Sequence, residues 1–501
     1  MIPLSSEAQQ TGAISISRSN ITYAICAILI SIINWLIFKY FYPYPNLTFD
    51  SYYYLMNMHL GTNAAGWPVG YSKFIKYFGY LSHSANVLVA FQYLITQLGF
   101  LLFFLSFRQF FLPGKVISLI TFVFLFINPI NIFGSNHILS DPLYIGISMI
   151  WVTQLLWIIF AFKPYMVITQ ALLLLLLFDL RYNALYFPIL TTLAFLTARL
   201  KTQWKIAGIS FTILLLGAFY QYTCLQMEKT VGVKQYAYSN GWKQASNSLY
   251  IYEHYYKSEN LAIPDKFHEL DSMVRNYFDH PHPDVSLYYP DQEITLGSFY
   301  MAVGGTPLVK YMQLKSGFTE WSLDFHKTAP YGPLYKSYGN YLILHHPIGY
   351  LQYVVAPHIK SYLSPYPEIF SLNPPAFELW MDNDHGKVAR DWFNLTTLNV
   401  PDTYILTRSQ ILSFYPIIYN ILHLVFILTL LSFIVLKGFI SQKGPHFWAL
   451  IILTTMCLGN FLFTVLSTTS VLRYQPAVIA LELTLILYFI EHILKLDSKQ
   501  A

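Results

Sequence analysis

Charge is what this chain has least of. Only 11% of its 501 residues are Asp, Glu, Lys or Arg, against about 25% in ordinary soluble domains. With 55% hydrophobic residues and a mean hydropathy of +0.43, that deficit excludes a soluble globular domain and fits a chain solvated by lipid. The formal net charge of +5 is small and scattered, so no nucleic-acid partner is expected. Cysteine is scarce too. Cys26, Cys224 and Cys457 lie far apart, which excludes a disulfide framework and a thiolate metal site. No repeat of about 20–50 residues is visible, and no low-complexity linker separates domains. The N-terminal residues are polar, and no small-residue cleavage site follows the first apolar run. Residues 21–40 therefore read as a retained span and not as a signal peptide.

Long apolar runs are what the chain does have. A hydrocarbon core of about 30 Å needs roughly 20 apolar residues per helix. Runs of that kind lie near 21–41, 86–107, 116–133, 143–162, 165–179, 184–198, 206–224, 412–436, 447–466 and 477–493. The expected fold is thus an all-α polytopic membrane protein of about ten transmembrane helices. The fifth and sixth runs are short and are expected to be tilted, to thin the bilayer or to be partly re-entrant. Lysine and arginine fall on alternate connections: Arg108 and Lys115, Lys163, Arg199 to Lys205, Lys437 and Lys443, and Lys495 and Lys499. This bias puts the N-terminus in the cytoplasm and the other connections outside. The expected location is a multi-pass protein of the bacterial inner membrane with its functional face periplasmic.

Three parts follow: an N-terminal transmembrane module, 1–223, with a first outer loop at 42–85; a large extracytoplasmic loop domain, 224–411; and C-terminal helices, 412–501. The large loop is far longer than ordinary connections of up to ~15 residues, so it is expected to fold as a small α-rich domain on the membrane. Its stretch Tyr341 to Leu363 reads as an interfacial helix broken by Pro347 and Pro357.

Ionisable groups at membrane depth are costly and usually face a cavity or a partner. Here they gather in the outer turns. Asp50 opens the first outer loop, and Lys73 follows its Trp-Pro turn. His137 and Asp141 share the GSNHILSDPLY turn, Asp179 and Arg181 lie in FDLRYNALYFP, and Arg473 lies in TSVLRYQP. Bundling would bring these equivalent helix ends together. Arginine forks suit phosphate oxygens, and an acid in reach of an acceptor hydroxyl can take its proton. Asp50 is therefore the candidate catalytic base, with Asp141 a second catalytic acid and Lys73, His137, Arg181 and Arg473 as substrate-binding residues.

Each also has an ordinary structural role open to it. Asp50 and Asp141 could cap the helices that follow, the latter with Pro142 at the first helical position. Asp179 and Arg181 could pair locally, Arg473 could reach for headgroups, and His137 could simply hold its turn. In the long loop, His345 and His346 precede Pro347 near the presumed surface and are candidates for a lipid phosphate. HPHPD (His280 to Asp284) and DNDHG (Asp382 to Gly386) place oxygen and imidazole ligands close together, although the second lacks the bidentate acid of a calcium loop.

FDSYYYL (Phe49 to Leu55), GWPVGY (Gly66 to Tyr71) and SDPLY (Ser140 to Tyr144), with the arginine-bearing RYNALYFP (Arg181 to Pro188), resemble the outer-loop motifs of GT-C glycosyltransferases. Relatives of that kind include protein O-mannosyltransferases, the aminoarabinose transferase of lipid A and the GPI-anchor mannosyltransferases. The resemblance covers the first ~200 residues in topology. It implies a GT-C-like bundle and an inverting transfer of a sugar from a polyprenyl-phosphate donor to a hydroxyl of a lipid, glycan or protein acceptor. Asp50 would act as the base toward the acceptor, and Arg181 and Arg473 would hold the lipid phosphate. Many relatives carry paired acids in the first loop, whereas Asp50 is followed by Ser51 and Tyr52. No cofactor is therefore certain, and a divalent metal stays open without the support of a paired-acid motif. The competing classes are a transporter or flippase of lipid-linked sugars, a polysaccharide polymerase or ligase, and a structural assembly subunit.

Overall fold

A computed structural model describes residues 17–497, apart from 238, 259–260, 281–298, 303, 318–324, 368–369, 371–383, 397, 399–400 and 468–469. Most of HPHPD and the start of DNDHG lie outside the described residues. Among the described residues no strand forms. The regular structure is helical, with isolated bridges at Asn46–His137 and Tyr366–Val471.

The N-terminal part comprises α1 (Arg18–Phe41), α2 (Phe49–Leu60), α3 (Gly70–Phe78), α4 (Ala85–Phe111), α5 (Lys115–Phe126), α6 (Pro129–Ser135), α7 (Ser140–Ala161), α8 (Met166–Leu180), α9 (Phe187–Thr197) and α10 (Thr202–Val231). The long intervening segment holds α11 (Ser239–Tyr255), α12 (His268–Asp279), α13 (Pro307–Ser316), α14 (Gly332–His345), α15 (Ala356–Leu363), α16 (Asp384–Phe393) and α17 (Asp402–Leu412). The chain ends with α18 (Tyr415–Val435), α19 (Pro445–Ser467) and α20 (Pro476–Asp497).

Eight helical stretches among the described residues are long and apolar enough to cross a membrane, so this is an integral multi-pass membrane protein. The expected count was about ten. The difference lies in the fifth and sixth runs. At 1.5 Å per residue, α8 is only about 22 Å long and α9 about 16 Å. The cause is local: backbone at Arg181 is extended (φ −154°, ψ 142°), which ends α8, and a 3-10 turn over Tyr182–Tyr186 precedes α9.

Phe100, Phe103 and Phe104 of α4, Trp151 and Leu155 of α7, and Leu481 and Phe489 of α20 share the largest buried core. The periphery is apolar as well. Ile21, Ile25, Leu29, Ile33 and Leu36 of α1 are all exposed. An apolar face of that extent is untenable in water and natural in lipid. α4 and α7 approach backbone to backbone at Gly99 and Gly146, because a Cβ on Gly99 would stand 2.3 Å from the Gly146 carbonyl oxygen. Small residues permit such close packing of membrane helices.

The long segment has its own core. Trp242, Leu249 and Tyr252 of α11, Leu270 and Val274 of α12, Leu308 and Met312 of α13, and Tyr335, Tyr338 and Leu342 of α14 pack together. The expected interfacial helix differs in detail. It breaks at His346–Pro347, whereas Pro357 is absorbed by a π turn over Leu351–Val355, which relieves the missing proline N–H. α15 then packs on the end of α19, where His358 Nδ1 hydrogen-bonds the Val465 carbonyl oxygen at 3.0 Å.

Gly99→Ala is expected to lower stability by about 1–3 kcal/mol, the usual effect of overpacking. Gly217→Ala, whose Cβ meets nothing within 4 Å, is the neutral comparison. Thermal unfolding in detergent checks this, and equal midpoints would contradict it.

Candidate functional site

Two backbone bridges position the site. The Asn46 amide donates to the Asn136 carbonyl at 2.9 Å and the Ile138 amide to the Asn46 carbonyl at 3.0 Å. They fasten the approach to α2 onto the turn that opens α7. On the other side the Leu472 amide donates to the Tyr366 carbonyl at 3.0 Å, and Ser361 Oγ donates to the Ser470 carbonyl at 2.9 Å. The turn before α20 is thereby tied to α15 and its exit.

Asp50 is not the N-cap of α2. Thr48 holds that position, its amide donating to Ser51 Oγ at 2.8 Å in a capping box. Asp50 lies one turn-step inside the helix and reaches out of it. Likewise Asp141 and Pro142 sit within the first turn of α7, whose N-cap is Leu139. With the caps supplied by other residues, both carboxylates meet arginines.

Asp141 Oδ1 accepts from Arg181 Nη1 at 2.5 Å, and Asp141 Oδ2 stands 3.5 Å from Arg473 Nη1. Arg473 Nη2 donates to Asp50 Oδ2 at 2.9 Å. The result is an alternating chain, Arg181–Asp141–Arg473–Asp50, drawn from four separate elements. Side-chain exposure along it is 14% at Arg181, 8% at Asp141, 7% at Arg473 and 19% at Asp50. Asp141 is thus a clamp between two cations, while Asp50 is its solvent-reachable end. Behind Arg473 and Asp141, a cavity of about 20 Å³ lined also by Thr96 and Asn131 has room for about one water. A larger substrate must come from the Asp50 side.

Aromatic groups brace this arrangement. The Arg181 guanidinium lies 4.4 Å from the Tyr474 ring centre, a cation–π distance. Tyr54 and Ser140 share a 3.0 Å hydrogen bond, and burial, then the Asp50 charge, hold the Tyr54 phenol well above its usual range. Tyr71 donates to Gln92 of α4. Gln92 Nε2 in turn donates to the His137 carbonyl at 2.9 Å and the Ser135 carbonyl at 3.2 Å.

Other expected site residues fall elsewhere. Asp179 and Arg181 do not pair with each other. Asp179 faces Lys73 of α3 at 3.8 Å, because α3 begins at Gly70, where a Cβ would stand 2.3 Å from the Asp179 carbonyl oxygen. Lys73 is therefore offset by its own acid beside the main chain of charges. The His137 ring is buried, its Nδ1–H donating to the Phe133 carbonyl at 2.8 Å. Burial, then the nearby Arg408 charge, push its pKa well down, so it is a neutral turn-holding residue here. His345 ends α14 and His346 follows it as the C-cap, stacking on Tyr255 at 4.6 Å. Tyr255 ends α11, about 18 Å along that helix from Lys243, so neither histidine joins the site.

Lys243 does, and sequence reading missed it. It lies on α11 one turn before Asn247, whose Nδ2 donates to the Ser467 carbonyl at 3.2 Å. This face of α11 looks onto the end of α19. Burial first, then repulsion from Arg181, lower the Lys243 pKa to about 8, while Asp50 acts in the opposite sense. Only its place in a folded segment reveals it, since no local motif sets it apart from neighbouring lysines. Three cations and two carboxylates leave the cluster one positive charge in excess, which suits an anion. Among the described residues no group of three His, Cys, Asp or Glu side chains is arranged to hold a metal ion.

Compared with family models, with curated proteins and with solved structures, the chain matches none of them.

Asp141→Asn leaves Arg181 and Arg473 facing each other without the clamp. Breaking a buried pair in this way is expected to destabilise by about 3–5 kcal/mol, read as a lowered unfolding midpoint. A midpoint unchanged from wild type would show that the clamp contributes nothing.

Proposed function

We propose that the protein is an inverting glycosyltransferase of GT-C type that moves a sugar from a polyprenyl-phosphate donor to an acceptor hydroxyl. The observation that carries this reading is the chain Arg181–Asp141–Arg473–Asp50, with Lys243 close enough to feel Arg181 and Asp50. It joins an anion-binding group to an accessible carboxylate, as such a transfer requires. The motif resemblance in the first ~200 residues and the gathering of these groups at one end of the bundle support it. The proposed setting is the bacterial inner membrane, with the site on the periplasmic face.

The donor phosphate is held by Arg181, Arg473 and Lys243. Its arrival draws Arg473 away from Asp50, so that the carboxylate becomes available as a base when the donor is seated. Asp50 takes the proton of the acceptor hydroxyl, and the acceptor oxygen forms the new bond to the anomeric carbon. The bond from that carbon to the phosphate oxygen breaks, and its electron pair leaves with the carrier phosphate. Attack from the face opposite the leaving group inverts the anomeric centre. Asp141 keeps the two arginines at fixed spacing, and Tyr54 packs beside the clamp.

Purified protein in lipid, given radiolabelled polyprenyl-phosphate sugars and a membrane extract as acceptor, tests the reading. Wild type is expected to transfer label and Asp50→Asn to lose transfer while still binding the carrier. Arg181→Ala is expected to lower turnover about 10²–10³-fold, the usual effect of losing one charged stabiliser. Equal transfer by Asp50→Asn would acquit Asp50, and carrier binding without transfer by wild type would favour a transporter or flippase.

Lys243 adds a pH signature. Below its pKa of about 8 the ammonium is charged and attracts the phosphate, and above it that attraction is lost. Carrier affinity is therefore expected to fall as pH rises through 8. In Lys243→Met it should be weaker at pH 7 and flat across that window. A wild-type profile in the variant would remove Lys243 from the site.

A further inference from the structure

A second cationic centre lies apart from the chain of charges just described. Arg408 of α17 is 5% exposed, and its Nε has no hydrogen-bond partner. Its guanidinium lies close to the Tyr42 hydroxyl, and that hydroxyl donates to Asn46 Oδ1 at 3.0 Å. The other group that feels its charge is His137, the neutral buried imidazole. Among the described residues no acid stands against Arg408. A guanidinium buried without a counter-ion is a large desolvation cost, and among the described residues only the Tyr42 hydroxyl offsets part of it.

Beside Arg408 lies a cavity of about 490 Å³, within the about 300–1,000 Å³ range of small-molecule sites. It is walled by α1, α4, α5, α6 and α17. Tyr42 and, from α17, Tyr404, Thr407 and Ile411 line it. Ile37, Phe41, Ile127 and Ile411 line it too, and all four are exposed on the outside of the bundle. Its mouth therefore opens sideways, where α1 presents its apolar face to lipid, and not toward water. An apolar chamber entered from the bilayer, with Tyr42 at its wall and the Arg408 guanidinium next to that hydroxyl, has the two chemistries of an anionic lipid.

We infer that this cavity is a binding site for a lipid with a phosphate headgroup, the chain lying between α1, α5 and α17 and the phosphate against Arg408. The proposal does not rest on the glycosyltransferase reading. Arg181 and Arg473 already have carboxylate partners, whereas Arg408 waits for one from outside the chain. Chain and headgroup are both required, so inorganic phosphate alone is not the ligand.

The test uses the full-length protein in nanodiscs of phosphatidylcholine, titrated with phosphatidic acid or with diacylglycerol of the same acyl chains. Binding is read by native mass spectrometry. Wild type is expected to hold phosphatidic acid about tenfold or more above diacylglycerol. Arg408→Gln should erase that preference, Arg408→Lys should keep most of it, and Arg181→Ala should leave it unchanged. Thr407→Trp fills the chamber from an exposed position and should lose both lipids, which reads the site even if the Arg408 variants fold poorly. Equal retention of the two lipids by wild type would overturn the proposal. So would a preference that survives Arg408→Gln, or full competition by millimolar inorganic phosphate, which would mark a free-phosphate site.

Discussion

The Asp141 carboxylate is the interaction on which the rest of the outer end depends. Two arginines from opposite parts of the chain, one closing α8 and one in the turn before α20, would repel each other at this spacing without it. Asp141 sets that spacing by taking Arg181 on one oxygen and Arg473 on the other. Arg473 then reaches Asp50, 423 residues away in sequence. Burial strengthens each of these attractions and raises the penalty for leaving any member alone. The backbone bridges at Asn46–His137 and Tyr366–Val471 do the complementary work. They fix the turns so that the side chains need only small rotations to meet.

Some of this was legible in the sequence, for a physical reason. Charges are rare in a chain of this composition, so the few in the outer turns stand out, and Asp50, Asp141, Arg181 and Arg473 do converge. Who pairs with whom was not legible. Asp179 and Arg181 are neighbours in sequence, but Asp179 is still on the helix while Arg181 has extended backbone, which sends the two side chains to different partners. The capping roles offered for Asp50 and Asp141 failed by a residue or two, because Thr48 and Leu139 start their helices earlier. Such boundaries are the least certain part of any sequence reading. Lys243 and Arg408 were invisible, since the segment that carries them has mixed composition and no periodicity that marks a functional face.

The short α8 explains why an arginine can be buried at the end of a transmembrane bundle. A helix of about 22 Å falls short of a hydrocarbon core of about 30 Å. Its C-terminal end is buried in the protein, with Leu180 6% exposed and the Arg181 side chain 14% exposed. Arg181 is not free to reach for water or headgroups and must be satisfied locally, by Asp141 and by the Tyr474 ring. The expectation of a tilted or thinned pair at this point concerned the same feature. Its consequence is electrostatic as much as geometric: a buried helix end puts a small number of charges where the dielectric is low and they act strongly.

The two arginine centres differ in a way that separates their roles. At Arg181 and Arg473 an incoming phosphate must compete with carboxylates already in place. On the proposed function, binding there is conditional: it would rearrange the acids, and the base released by that competition would be exposed only when the anion is present. At Arg408, among the described residues, there is no carboxylate to displace. On the lipid-site proposal a phosphate that reaches it would meet no competitor and would remove a standing desolvation cost, so occupancy there would favour retention over exchange. On the two proposals, one centre responds to its ligand and the other keeps it. His137, neutral and wedged where it feels the charges of both Arg408 and Arg473, separates them without carrying charge between them.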